Sequence, residues 1–352
     1  MKKILLITEY LDPPYDEGIK KTVYNLFNQL NKKYNLKVIC RYGFEHENID
    51  IVKANALFFS RKIYNKISKF KPDVLIYFPF ASATFAGYLR VVILNCFSRK
   101  SKHLFIALQP KPLKIWQKLI VRLVKPQSAL TPSPALKGFW DSIGVQNEIL
   151  PLHTDLSIFQ PATNEKKKKI RKKYNISRDA FIISHIGHLN EGRNLKSLIT
   201  LQETGNQLIV VSSSSTPSDA LGPSALKGEL ETAGIKVFDG YIEDISEIYH
   251  MSDVYIFPVM EPNSSIGMPL SILEARACGI PVITTEFGSV KDFIGFDYGG
   301  VFYSNPEEFL ITLNRVKELK NKIFLKSKIQ KLNNRFLYVV FNIINKSFYG
   351  EK

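Results

Sequence analysis

The chain has 352 residues, which is enough for two domains of ordinary size. Its 45% hydrophobic and 23% charged residues form a typical globular composition, which excludes wholesale disorder and fibrous repeats. Three cysteines without metal-ligand spacing argue against a disulfide scaffold, so we expect a reducing, cytoplasmic compartment.

The formal net charge of +16 is concentrated in the first part of the chain. Residues 1–150 hold 24 Lys and Arg against 10 Asp and Glu, whereas the other 202 residues hold 24 against 22. No acidic residue lies between Asp73 and Asp141, a stretch that contains ten basic residues. This asymmetry favours an anionic surface, membrane or nucleic acid, facing one domain; a solvated basic face is the alternative.

The sequence contains no segment typical of a signal peptide or a membrane span. The apolar run after Lys3 ends at Glu9, which is too short for a signal peptide. The least charged stretch, Val74 to Leu89, is interrupted by Pro79 and is shorter than a bilayer crossing requires. We therefore expect a chain that does not cross a bilayer.

Short β-branched runs alternate with longer amphipathic segments, a pattern typical of parallel α/β units. In the first half the predicted strands are Ile4–Thr8, Leu36–Cys40, Val74–Phe78, Leu104–Leu108 and Ala129–Ser133, and a helix is predicted at Lys20–Lys32. In the second half the predicted strands are Phe181–Gly187, Gln207–Ser212, Val237–Asp239, Val254–Phe257 and Val282–Thr285. Predicted helices there are Leu195–Thr204, Ile245–His250 and Ser271–Cys278, with an exposed basic helix around 166–173. The pattern predicts two doubly wound domains that meet near residues 150–161, with a ligand in the cleft between them.

The densest motif lies at residues 265–285, where a Gly/Pro loop runs into a helix and a strand follows. The backbone N–H groups of Leu270 and Ser271 would lie at the helix start, where they form an anion site. Glu274 lies one turn further, where its carboxylate could accept hydrogen bonds from a sugar diol. Taken alone, a solvated helix glutamate is the alternative interpretation.

This segment resembles the signature of group 1 glycosyltransferases of the GT-B fold. The matching residues are Glu274, Ala275, Ala277, Gly279, Pro281 and Val282. Three further stretches resemble the family's N-terminal glycine loop, its interdomain connector and its donor loop. In the donor loop, Arg193 occupies the position at which the family has a lysine. The three stretches are Pro13-Pro14 with Gly18, then Pro151, Asp155 and Phe159-Gln160-Pro161, and finally Gly187 to Asn194.

The resemblance implies an α/β protein with two Rossmann-like domains facing across a cleft. Residues 1–155 would bind the acceptor, residues 156–334 the nucleotide-sugar, and a helix within 335–352 would cross back to the first domain. It also implies a retaining transferase in which Arg193, His188 and Glu274 act on the leaving diphosphate and the sugar. The implied donor-binding set is Gly18, Arg193, Asn194, Tyr241, Ile242, Met268, Leu270, Ser271 and Glu274. No Asp-x-Asp occurs and the six histidines lack metal spacing, so neither a metal nor another cofactor is expected beside the nucleotide-sugar.

The chain departs from the family pattern at three positions that bear on activity, one of which is Gln109, near the place where many relatives have a histidine after the strand at 104–108. The first glutamate of the family's pair falls on Ile266, and Glu261 lies five residues earlier. His188 stands where relatives have arginine, and it contacts phosphate only when protonated or as a neutral donor. These departures support an alternative, a non-catalytic homologue that binds nucleotide, sugar or a partner subunit.

The acceptor side is indicated by a basic amphipathic segment, residues 111–125. Lys114, Lys118 and Arg122 recur at helical spacing, and Trp116 lies among apolar residues. Such a helix is typical of segments that lie on an anionic membrane surface. The alternative is a helix that packs on the protein core and leaves its basic side chains in solvent. We therefore expect a membrane-proximal or lipid-linked glycan acceptor and a peripheral location on the inner membrane face. Nucleic acid is not expected, because aromatic residues are not interleaved with the basic run.

Overall fold

A computed structural model describes residues 1–202, 206–212, 224–261, 264–294, 300–319 and 329–346. The chain divides into two compact units. The N-terminal unit comprises residues 1–151 together with 335–352, and the C-terminal unit comprises residues 152–334. Each unit is described by itself below.

The N-terminal unit is built on a seven-stranded parallel sheet with helices connecting its strands. The strands in this unit are β1 (Lys3–Ile7), β2 (Tyr10–Leu11), β3 (Asn35–Cys40), β4 (Tyr42–Gly43), β5 (Ile49–Ile51), β6 (Val74–Tyr77), β7 (Lys102–Ile106), β8 (Ser128–Thr131) and β9 (Gln146–Ile149). The helices are α1 (Gly18–Asn31), α2 (Arg61–Phe70), α3 (Phe85–Phe97), α4 (Ile115–Leu123) and α5 (Pro134–Ser142). The sheet order is β5-β3-β1-β6-β7-β8-β9, and β2 and β4 form a separate parallel pair.

The strand order reverses between β1 and β6, so this is a doubly wound sheet with its switch point there. Apart from Lys3 at the start of β1, the central strands β1 and β6 are apolar and buried, because helices cover both faces of a parallel sheet. Ser60, Thr84 and Ser133 cap the starts of α2, α3 and α5 with their hydroxyl oxygens, which accept backbone N–H groups that no helical carbonyl can reach.

A buried polar cluster holds the carboxyl end of β1 in place. The Glu9 carboxylate forms an ion pair with the Arg90 guanidinium of α3. It also accepts hydrogen bonds from the Tyr77 hydroxyl at 3.1 Å and the Phe80 backbone N–H at 2.8 Å. Arg90 donates further to the Ala56 carbonyl oxygen at 2.6 Å. The cluster therefore joins the ends of β1 and β6 to α3 and to the loop before α2.

The C-terminal unit repeats the architecture with a six-stranded parallel sheet. Its strands are β10 (Phe181–Gly187), β11 (Asn206–Ser212), β12 (Lys236–Asp239), β13 (Val254–Phe257), β14 (Val282–Thr284) and β15 (Val301–Tyr303). Its helices are α6 (Asn164–Lys173), α7 (Ser224–Thr232), α8 (Ser246–Met251), α9 (Leu270–Ala277), α10 (Val290–Ile294) and α11 (Phe309–Leu319). The sheet order is β12-β11-β10-β13-β14-β15, with the switch point between β10 and β13. The α/β prediction of two doubly wound parallel sheets is confirmed.

Two predicted helices of this unit differ in detail from the structure. Residues Leu195–Leu201 form a 3-10 helix rather than an α-helix, and Thr204 lies outside the described residues. The segment starts from Asn194 in the left-handed region, without a side-chain cap, and the Ser197 N–H donates to the Asn194 carbonyl, so the first turn is tightened. The basic helix near 166–173 is α6, but it is anchored, because Arg171 is buried and its guanidinium pairs with Asp253 at 2.7 Å.

The last helix, α12 (Ile329–Lys346), belongs from Arg335 onwards to the N-terminal unit. Lys2 Nζ donates to the Ile344 carbonyl oxygen at 3.4 Å. The Phe341 ring lies 5.8 Å from the Tyr34 ring and 4.1 Å from the Lys33 ammonium group. Of residues 335–352, within which this helix was predicted, residues 347–352 lie outside the described residues.

Candidate functional site

The carboxyl edge of the C-terminal sheet brings together most of the predicted donor residues. The loop after β10 carries His188, Arg193 and Asn194, and the loop after β13 leads into α9, which carries Glu274. Because β10 and β13 are neighbours at the switch point, both loops leave the sheet side by side. The Asn194 side chain spans them, since its Nδ2 donates to the Pro258 carbonyl oxygen at 3.4 Å.

Arg193 is held close to the end of β10. A 3-10 turn at Glu191–Arg193 returns the chain towards the strand, and Asn194 then takes a left-handed conformation with φ of 56°. The Arg193 side chain is only 6% exposed, and its guanidinium packs over Gly187. A Cβ at Gly187 would lie 2.8 Å from the Arg193 Cζ and closer still to Nη1, so any larger residue there would displace the guanidinium.

His185 is a functional neighbour that the sequence did not single out. Its ring is buried in β10, and its Nδ1 lies 2.9 Å from the Ile256 carbonyl oxygen. Burial and then the nearby Arg193 charge lower the pKa of His185 to about 3, so the ring is neutral at pH 7. A neutral ring avoids a second buried positive charge beside the Arg193 guanidinium. The available signal was a histidine within an otherwise apolar strand.

Glu274 lies inside the unit rather than on a solvated helix face. It is 3% exposed, and its Oε2 accepts a hydrogen bond from the Tyr249 hydroxyl at 2.8 Å. Burial and the adjacent Glu274 charge raise the pKa of Tyr249 well above its ordinary value, so the phenol stays protonated and donates. The sequence did not identify Tyr249, because nothing in the local pattern links it to a glutamate 25 residues away.

The start of α9 lacks a side-chain cap, since Pro269 precedes it and contributes none. Leu270 and Met268 are buried there, and the Ser271 side chain hydrogen bonds with Tyr255 of β13. Gly267, just before this helix start, is anchored, because the Ser289 N–H donates to its carbonyl oxygen at 2.7 Å. A rigid helix start with no side-chain cap can accept an anion.

The missing family glutamate is replaced by a buried apolar side chain. Ile266 is 7% exposed, so this position supplies packing rather than a carboxylate. Glu261 is exposed and lies against the donor loop, since its Cβ would be 3.4 Å from a Cβ at Gly192. The chain therefore has one carboxylate within α9 and another on the loop that contacts Gly192.

Tyr241 and Ile242 follow β12, two strands from the switch point on the same edge. Tyr241 is exposed, whereas Ile242 is partly buried and packs against an apolar cluster that includes Val211. The backbone of residues 241–242 therefore lies at the carboxyl edge of the C-terminal sheet, and the Ile242 side chain anchors it to the apolar cluster.

The predicted residue of the glycine loop, Gly18, is the first residue of α1 in the N-terminal unit. The Glu17 carboxylate accepts hydrogen bonds from the Ile19 N–H at 2.7 Å and the Lys20 N–H at 2.9 Å. Burial raises the pKa of Glu17 to about 7 despite these hydrogen bonds. An internal carboxylate thus already occupies the N-terminus of this helix.

Helix α4 is the most exposed apolar element of the N-terminal unit. Val121 is its only buried residue, whereas Ile115 is 82% and Leu123 85% exposed. Trp116 and Leu119 are also exposed, and the Trp116 ring contacts Phe85 at 5.2 Å. The basic side chains Lys114, Lys118 and Arg122 are exposed on the same helix and at its start. Helix α4 therefore packs on the core through Val121, while most of its other apolar side chains are exposed beside the basic ones.

The described residues contain neither a cluster of metal ligands nor a membrane-spanning helix. Within the described ranges, no three His, Cys, Asp or Glu side chains come together as a metal ion would require. In the same part of the chain, no helix combines the length and apolarity needed to cross a bilayer.

Residues 185–322 match the family model of glycosyl transferases group 1. This part of the C-terminal unit is therefore similar to the group 1 glycosyl transferase domain. The match covers the end of β10, the loop that carries Arg193, α9 and the strands that follow α9. This confirms the family resemblance that was read from Glu274 to Val282.

Two curated relatives and one solved structure show how far the similarity reaches. The chain is 27% identical over 181 residues to the Escherichia coli UDP-Gal:alpha-D-GlcNAc-diphosphoundecaprenol alpha-1,3-galactosyltransferase, covering 50% of this chain and 43% of that protein. It is 25% identical over 181 residues to an uncharacterized glycosyltransferase of Methanocaldococcus jannaschii, MJ1607, covering 49% and 44%. The matches thus span less than half the length of these relatives.

The solved structure is Anabaena Alr3699/HepE in complex with UDP-glucose. It superposes with a TM-score of 0.75 at 14% identity, covering 98% of this chain and 99% of that one. Identity this low shows the fold alone, and that fold is the GT-B type with two Rossmann-like domains.

Proposed function

We propose that this protein is a retaining glycosyltransferase that moves a sugar from a nucleotide-diphosphate sugar to a membrane-proximal or lipid-linked glycan. The observation that carries the proposal is the switch-point edge of the C-terminal sheet. There a fixed guanidinium, an uncapped helix start and a buried carboxylate follow two neighbouring strands in the part of the chain that is similar to group 1 glycosyl transferases. The two relatives described above are both named as glycosyltransferases, which supports the same reaction class.

In this proposal Arg193, His188 and the start of α9 bind the diphosphate. A permanently charged guanidinium pairs with phosphate oxygens in a fixed geometry and stabilises the charge that develops as the sugar leaves. Glu274 accepts hydrogen bonds from donor sugar hydroxyls, and Tyr249 orients its carboxylate. The departing phosphate oxygen takes the acceptor proton, so no strong protein base is needed. The family's metal independence agrees with this assignment.

The donor part is tested by a thermal-shift panel with UDP, GDP, ADP, CDP and TDP on the full chain. A ligand at a hundred times its dissociation constant adds about 2.7 kcal/mol, which shifts the melting temperature by several degrees. We expect one nucleotide to stabilise the wild type and Glu229→Gln, an exposed control in the same unit, but to stabilise Arg193→Met much less. If none of the five stabilises the wild type, the proposal fails.

The acceptor part is supported by α4. Exposed Ile115, Trp116, Leu119 and Leu123, together with nearby basic side chains, fit a bilayer with anionic lipid. Each basic residue near such a surface contributes about 1 kcal/mol. The E. coli relative is named for a diphosphoundecaprenol-linked acceptor, which suggests the same chemical class here.

Sedimentation with phosphatidylglycerol vesicles at low salt tests this part. We expect the wild type to sediment with anionic but not with phosphatidylcholine vesicles. Replacing Lys114, Lys118 and Arg122 by Ser should abolish sedimentation. A matched triple Ser variant of the exposed Lys166, Lys168 and Lys169 on α6, which removes equal charge, should retain it. Equal binding by both variants would contradict a role for α4.

A second candidate is a non-catalytic homologue, and the buried Ile266 favours it. Such a protein would bind a nucleotide in the panel but would release no nucleoside diphosphate from the corresponding sugar conjugate, with or without membrane extract. Measurable transfer from any donor eliminates this candidate.

A further inference from the structure

Three aromatic rings, Tyr42, Tyr10 and Phe80, pack in a row at the carboxyl end of the N-terminal sheet, and this row is called the stack below. Tyr10 of β2 and Tyr42 of β4 are register partners, and their rings lie 4.8 Å apart with an interplanar angle of 10°. Phe80, which follows β6, packs its ring against that of Tyr10 with the centroids 4.6 Å apart and the planes tilted by 54°, so only the Tyr42 and Tyr10 rings are stacked face to face. Register partners on parallel strands point the same way and lie one strand spacing apart, so the sheet itself builds the stack.

The stack lies where the topology predicts a ligand. Its members follow β3, β1 and β6, which are consecutive strands of the sheet. The switch point of this unit lies between β1 and β6, so Tyr10 and Phe80 stand on its two sides. In open α/β sheets ligands bind in the crevice outside the carboxyl ends at such a point. The buried Glu9–Arg90 cluster beneath fixes the chain on both sides.

The outer end of the stack is open and is bordered by charge. Tyr42 is 48% exposed, which is high for a ring that also stacks on a neighbour. The Arg41 guanidinium lies 5.9 Å from the Tyr42 ring centroid. Lys20 Nζ lies 5.9 Å from the Tyr10 ring and 3.5 Å from the Asp12 carboxylate, so Asp12 is held beside the stack.

A flat aromatic face next to planar charged groups suits one kind of ligand. The C–H face of a pyranose packs on an aromatic ring, and its hydroxyls bond to guanidinium and carboxylate groups. A bare phosphate would contact the charged groups but not the aromatic ring, and a lipid tail would contact the ring but not the charged groups. A nucleobase would also stack, but the proposed diphosphate site lies in the other unit.

We propose that the Tyr42–Tyr10–Phe80 stack is a subsite for one sugar ring of the acceptor glycan, with Tyr42 as the contacting face. This inference rests on the proposed function and adds a position and a chemistry for the acceptor. Tyr42 would act by binding, so its loss should raise the acceptor KM and leave kcat nearly unchanged.

The test uses saturation-transfer NMR of the full chain with the methyl glycosides of glucose, galactose, mannose and N-acetylglucosamine. Tyr42→Leu keeps the apolar cover of Tyr10 but removes the aromatic face, and Tyr42→Phe and Tyr42→Trp keep an aromatic face. Tyr64→Leu is the matched control, because Tyr64 is 46% exposed on α2 of the same unit. We expect Tyr42→Leu to weaken glycoside binding about three- to tenfold, while the other variants bind like the wild type.

The nucleotide panel separates failure of the subsite from failure of the function. If UDP or another nucleotide binds the wild type but no glycoside does, or if Tyr42→Leu binds glycosides unchanged, the subsite is wrong and the function stands. If Tyr42→Leu weakens the nucleotide instead of the glycoside, the stack is a base platform and the subsite is again wrong. If no nucleotide binds, the proposed function fails, whatever the glycosides do. Tyr42→Leu could fail to fold, and the two aromatic variants then decide. If Tyr42→Phe and Tyr42→Trp bind the glycosides as tightly as the wild type, the subsite is supported. If both bind them more weakly, it is overturned.

Discussion

Gly187→Ala should weaken nucleotide binding by displacing Arg193. The new methyl carbon would lie 2.8 Å from the Arg193 Cζ, against an ordinary contact of about 3.4 Å or more, and nearer still to Nη1. The guanidinium must therefore retreat by about 1 Å, which breaks phosphate hydrogen bonds that require N···O distances of roughly 2.7–3.2 Å. A hydrogen bond to a charged group contributes about 1.5–3 kcal/mol, so the dissociation constant should rise about 10- to 100-fold.

Isothermal titration calorimetry with the nucleoside diphosphate found in the panel measures this effect. Gly228→Ala is the matched control, because nothing lies within 4 Å of a Cβ there and the residue is in α7 of the same unit. When Gly187→Ala is added to the Arg193→Met variant, the affinity for the nucleoside diphosphate should fall little further, because both substitutions act through the Arg193 guanidinium. Equal loss of affinity in that background would refute the steric argument, as would wild-type affinity for Gly187→Ala alone.

The other predictions concern the buried polar groups of each unit. Arg90→Met should leave the Glu9 carboxylate buried without its cation, which costs about 3–5 kcal/mol of unfolding free energy in urea titrations; a loss below 1 kcal/mol would contradict this. His185 has a folded pKa of about 3, below the unfolded value of about 6.5, so the unfolded state binds the extra proton and stability falls as pH drops between these values. His185→Asn should remove up to about 1.4 kcal/mol per pH unit from that slope, and an unchanged slope would show that the ring is not buried neutral. Tyr249→Phe should leave part of the Glu274 carboxylate without its donor and cost about 1–3 kcal/mol, measured by the same titration with Tyr241→Phe as an exposed control.

Much of the architecture follows from local pattern. Apolar β-branched runs such as Val254–Phe257 predict buried parallel strands, because both faces of such a sheet are covered and no polar alternation is needed. The predicted strand bounds differ from the observed ones by only a few residues. The Gly/Pro loop before Leu270 predicts the helix start, since adjacent residues determine turns and helix starts, whereas the family was indicated by the resemblance of the residues from Glu274 to Val282 to a known signature.

The partners of the buried polar groups were decided only by the tertiary structure. Tyr249 meets Glu274 because α8 and α9 pack together, and His185 meets Arg193 because a 3-10 turn folds back over Gly187. Likewise, Tyr10 and Tyr42 are 32 positions apart in the chain and stack because β2 and β4 pair in that register. Local periodicity specifies which face of an element is apolar, but the register and crossing of distant elements specify what each side chain touches. For this reason the family and the fold could be predicted from the residues alone, whereas the geometry around Arg193, Glu274 and Tyr42 could not.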